Sequence, residues 1–62
     1  MTQPLFALRN VDTGQVHEID DEAINELASC LQYARDQQRA TLIFRSMRVD
    51  CEVAAKIIND SI

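Results

Sequence analysis

One glycine, one proline, one histidine, two cysteines, three aromatic side chains and no tryptophan are all this chain holds of the residues that usually mark a special backbone or a special chemistry. With Gly14 and Pro4 alone, neither a collagen-like repeat nor a flexible Gly/Pro linker exists. Cys30 and Cys51 lie too far apart for a CxxC redox or zinc pair, and read as small buried hydrophobes kept as thiols in a reducing compartment. His17 would have to serve any acid–base scheme or nitrogen-ligated metal by itself. No flanking nucleophile motif supports it, so it reads as an ordinary strand side chain. No apolar run is long enough to cross a membrane and Met1-Thr2-Gln3-Pro4 carries no basic leader, which makes a cytoplasmic address the expectation. Pro4 is a tertiary amide behind Thr2 and Gln3 and offers no basic nitrogen for catalysis.

The composition that remains is that of a folded globule: 47% apolar and 26% charged in 62 residues. A single domain over residues 1–62 follows. A chain of this size buries only roughly 60% of the surface its unfolded form exposes, so its core is thin. Ten acidic against six basic side chains give a net charge of -4, which works against any long-range pull on nucleic-acid phosphates. Five of the six cations are arginines, the cation suited to planar and paired contacts.

The apolar pattern is read from the N-terminus. Leu5 to Val11 has the length of a strand, Gln15 to Ile19 alternates after it, and Asp12-Thr13-Gly14 between them predicts a hairpin loop closed by a left-handed glycine. Asp20 is a helix cap, Asp21 and Glu22 suit the first turn, and Ile19 staples onto Ile24. Ile24, Leu27, Ala28, Leu31 and Ala34 then form the apolar face of a first helix that fades through Asp36-Gln37-Gln38-Arg39. Thr41 to Arg45 reads as a third strand. Asp50 repeats the capping signal for a second helix, with Val53, Ala54, Ile57 and Ile58 as its stripe, to about Asn59. Residues 16–28 and 46–58 match in this strand-then-capped-helix pattern, but identity is confined to Asp20 with Asp50 and Glu22 with Glu52. We ascribe the match to shared capping physics rather than duplication.

The expected fold class is therefore α+β: a small two-layer β-β-α-β-α domain with a three-stranded mixed sheet of order 2-1-3 and both helices on one face. Strict alternation then turns Leu5, Ala7, Arg9, Ile43, Arg45 and Met47 to the open face. A half-apolar face and an unguarded third strand point to association, and the expectation is a homodimer through that strand.

Arg9, Ile43, Arg45, Met47 and Arg48 are the expected partner-binding residues, with Tyr33 a lesser candidate of the same kind. Cys51 sits where a helix dipole favours a thiolate, but Asp50 and Glu52 on either side favour the neutral thiol. Asp20, Asp21, Glu22 and Glu26 lack the spacing of a cation loop and read as helix-start chemistry, so no catalytic residue, metal or cofactor is expected. The functional expectation is a small acidic non-enzymatic module that binds and regulates a partner protein as a homodimer. The alternative is a nucleic-acid-associated regulator using a dimeric strip of Arg9, Arg45 and Arg48. The net charge and the lack of aromatics interleaved with those cations make nucleic acid the weaker partner.

Overall fold

A computed structural model describes residues 5–61. Two hairpins alternate with two helices. Strands β1 (Leu5–Arg9) and β2 (Val16–Asp20) pair antiparallel, and a single 3-10 turn (Asp21–Ala23) leads into helix α1 (Ile24–Asp36). Strands β3 (Thr41–Phe44) and β4 (Met47–Asp50) form the second antiparallel pair, followed by helix α2 (Cys51–Asp60).

Local chemistry explains each boundary. In the first hairpin loop the Asn10 side chain accepts from the Asp12 amide, the Thr13 hydroxyl accepts from the Gln15 amide, and Gly14 takes φ 76°, the left-handed role expected of it. The Asp20 carboxylate accepts the Ala23 amide at 3.2 Å, and Asp50 accepts the amides of Glu52 and Val53. Both capping expectations hold. Helix α1 ends with Gln38 at φ 56°: the Gln38 amide donates to the Arg35 carbonyl and the Arg39 amide to the Ala34 carbonyl. These two bonds make a Schellman termination, built on glutamine where glycine is usual.

One three-stranded sheet was expected, and the structure corrects it: there are four strands in two separate two-stranded antiparallel sheets, β1-β2 and β3-β4. The difference arises at Arg45-Ser46. Both residues take left-handed backbone, φ 50° and 67°, and reverse the chain in a two-residue turn. Met47, to which the alternation of the third strand is carried from sequence, thereby starts a strand of its own, Met47–Asp50. β4, not β1, is the neighbour of β3. Among the described residues, the backbone hydrogen bond between the first hairpin's segment and the second hairpin is the Val11 amide donating to the Arg48 carbonyl at 2.8 Å.

Helix α1 packs on β3 and on α2, while α2 packs on β4 and β1. The core between them holds Leu8, Ile19, Ile24, Leu27, Leu31, Leu42, Phe44, Met47, Val49 and Ile57, with Ala23, Ala34, Cys51 and Ala54 filling the close approaches. Phe44, Leu8, Leu27 and Val49 are fully buried, each worth about 1.5–3 kcal/mol relative to exposure. No buried side-chain nitrogen or oxygen among the described residues lacks a hydrogen-bond partner.

Candidate functional site

The ladder of the second hairpin determines which backbone groups face outward. With a two-residue turn, Phe44 and Met47 form the closing hydrogen-bonded pair, and bonding then alternates: Leu42 with Val49 bonded, Ile43 with Arg48 and Thr41 with Asp50 not. Two bonds outside the ladder agree with this phase. The Cys51 amide donates to the Ala40 carbonyl, continuing the bonded series, and the outward Arg48 carbonyl is the one that accepts from Val11. The amides and carbonyls of Thr41 and Ile43 therefore point away from β4, and among the described residues no hydrogen bond within the chain uses them.

Beside this open edge runs a groove of about 430 Å³ between α1 and β3, lined by Ser29, Cys30, Tyr33, Ala34, Arg39, Leu42 and Ile43. Tyr33 is 59% exposed and Ile43 58% exposed, so large apolar surface rims it. The Schellman termination holds Arg39 at one end of the groove, its guanidinium 5.8 Å from the Tyr33 ring centroid, within cation–π range. Cys30 is half-buried, and burial, then the nearby Glu26 charge, pushes its thiol above the ordinary value. Burial does the same to Cys51, with Asp50 adding to it and Arg35 opposing; its Sγ donates to the Arg39 carbonyl. Both are neutral thiols at neutral pH and poor nucleophiles.

The five residues expected to bind a partner are separated by this geometry. Ile43 and Arg48 stand opposite each other on the outer face of the second hairpin. Arg45 lies in the turn, bonded through Nε to Glu26 of α1 at 3.1 Å and stacked 5.0 Å from the Phe44 ring centroid. Arg48 is ion-paired with Asp12 of the first hairpin loop. Arg9 is exposed on the first hairpin opposite Val16. Met47 corrects the expectation of an open-face side chain. Only 6% exposed, it belongs to the core, because residues flanking a two-residue turn face each other and Met47 therefore shares the inner face with Phe44. Two of the three arginines of the anticipated basic strip are thus already bound to carboxylates.

The sequence marks Arg39 only as the end of the fading first helix, and Tyr33 only as a lesser candidate. Their spacing of six residues gives no face-sharing signal, since it is the left-handed Gln38 that folds Arg39 back toward α1. Among the described residues no group of three or more His, Cys, Asp or Glu side chains converges, and no helix is long and apolar enough to cross a membrane. No protein-family model matches the chain, and neither a curated protein nor a solved structure matches it significantly.

Proposed function

We propose that this chain is a non-enzymatic protein-binding module that works by strand addition at the free edge of β3. The observation that carries the reading is the pair of unused backbone positions, Thr41 and Ile43, flanked by an apolar groove. Backbone bonding to an added strand supplies affinity, and a neighbouring pocket for its alternate side chains supplies selectivity. The decisive comparison is affinity purification from the native host with the wild-type chain, Ile43→Asp and Val53→Asp. Val53 is an exposed residue of α2 that does not line the groove and serves as the control. Partners retained by wild type and Val53→Asp but lost with Ile43→Asp are expected; partners indifferent to Ile43→Asp in a folded chain would defeat the proposal.

A second copy of the chain is the second reading, and the spacing of the edge favours it. A two-fold pairing about Leu42 sets Thr41 of each strand against Ile43 of the other and satisfies both outward positions at once. The homodimer expected from the sequence would take this form. A sedimentation mass of one chain at tens of micromolar would remove it.

A further inference from the structure

We infer that the β3 edge takes an extended segment of a partner protein whose apolar centre has an acidic side chain beside it, with Arg39 reading the carboxylate. This rests on the strand-addition reading and names its occupant. The chain carries ten carboxylate side chains, yet none lines the groove, where Arg39 is the sole charged residue. Among the described residues Arg39 has no carboxylate within ion-pair distance, whereas Arg45 and Arg48 each have one. Its backbone is fixed by the Schellman bonds and its guanidinium lies over Tyr33, a contact that favours the orientation needed for planar, paired recognition. At the other end of β3 Arg45 is already paired with Glu26, so recognition of a carboxylate at this edge falls to Arg39.

The same charges disfavour a second copy as occupant. In the two-fold register about Leu42, Arg39 of each chain is brought toward the Arg45 end of the other, where the Glu26 carboxylate is already taken by Arg45, so a second copy brings Arg39 no unpaired carboxylate. A segment with an acidic side chain beside its apolar centre supplies one.

The test uses three synthetic peptides with one Val-Ile-Val core flanked by Glu, Gln or Lys, and the full chain labelled for amide exchange. The Glu peptide is expected to bind roughly tenfold or more tighter than the Gln peptide at low salt, a preference that shrinks with added salt, and to slow exchange at Thr41 and Ile43. Arg39→Gln, whose backbone bonds are unaltered, is expected to erase the preference while keeping binding of the Gln peptide. Equal affinity of the Glu and Gln peptides, or a preference that survives Arg39→Gln, overturns the acidic assignment while leaving strand addition standing. If no peptide slows exchange at Thr41 and Ile43, the strand-addition reading itself falls. If those amides are protected without peptide, increasingly with protein concentration, the occupant is a second copy and the inference is overturned.

Discussion

The two halves of the molecule follow one plan, a hairpin whose second strand ends in a capping aspartate that starts a helix, yet they differ in how firmly the hairpin is held. In β3-β4 every inner-face side chain is buried: Leu42, Phe44, Met47 and Val49. In β1-β2 the inner face buries Leu8 and Ile19, leaves Phe6 half-buried and exposes His17. The outer face of the first hairpin even carries Leu5 and Val16 at 61% and 57% exposure. The second hairpin is thus core and the first is a flap fastened by Leu8, Ile19, the Val11 amide and the exposed Arg48–Asp12 pair. Local stability tracks buried apolar contact, so the first hairpin is the part expected to open first. This difference suits the proposed site, because a strand-adding edge works best on a rigid hairpin that does not need ordering when its partner arrives.

Core truncation is the strongest way to break the comparison. Phe44→Ala removes a fully buried ring and is expected to cost about 3–5 kcal/mol, enough to unfold a chain of this size. Phe6→Ala, at a half-buried position on the flap, is expected to cost less than half as much. Urea unfolding of the two variants decides the matter; equal losses would mean that the flap is as integral to the core as the second hairpin.

The helix caps sharpen it at a smaller scale. Asp50 accepts two amides at the start of α2, whereas Asp20 accepts one, and at the start of a 3-10 turn. Asp50→Ala is expected to lower stability by about 1 kcal/mol and Asp20→Ala by distinctly less, read from thermal or urea midpoints. Both caps were visible in the sequence, as were the apolar stripes of the helices and the left-handed glycine of the first loop. For the caps and the glycine one residue type carries the local physics by itself, a carboxylate beside free amides or a residue without a Cβ; for the stripes the helical period carries it.

What was not legible lay at positions where a side-chain-bearing residue adopts glycine's backbone. Gln38, Arg45 and Ser46 all have positive φ, and none announces it. Missing the Arg45-Ser46 reversal hid β4, carried the alternation of β3 straight on, and placed Met47 on the wrong face. Missing Gln38 hid the termination that brings Arg39 to Tyr33. The expectation of an exposed Ile43 on β3 survived because it depends on strand alternation before either turn. The ion pairs of Arg45 with Glu26 and Arg48 with Asp12 join residues far apart in the chain, and no spacing rule reaches them.

The turns provide the smallest and most direct test of the contrast. The first loop uses Gly14 at φ 76°, with nothing within 4 Å of where a Cβ would stand, so Gly14→Ala meets no neighbour and carries only the left-handed penalty, about 1 kcal/mol. The second turn already bears that penalty at Ser46. Ser46→Gly is expected to relieve it at the expense of a more flexible unfolded chain, leaving a net gain of about 0.5 kcal/mol. Opposite signs for the two substitutions in matched urea titrations would show that the second hairpin tolerates a strained turn because its four buried side chains hold it in register. A loss of stability on Ser46→Gly would instead mean that the serine side chain itself supports the turn, and that burial does not account for the tolerance.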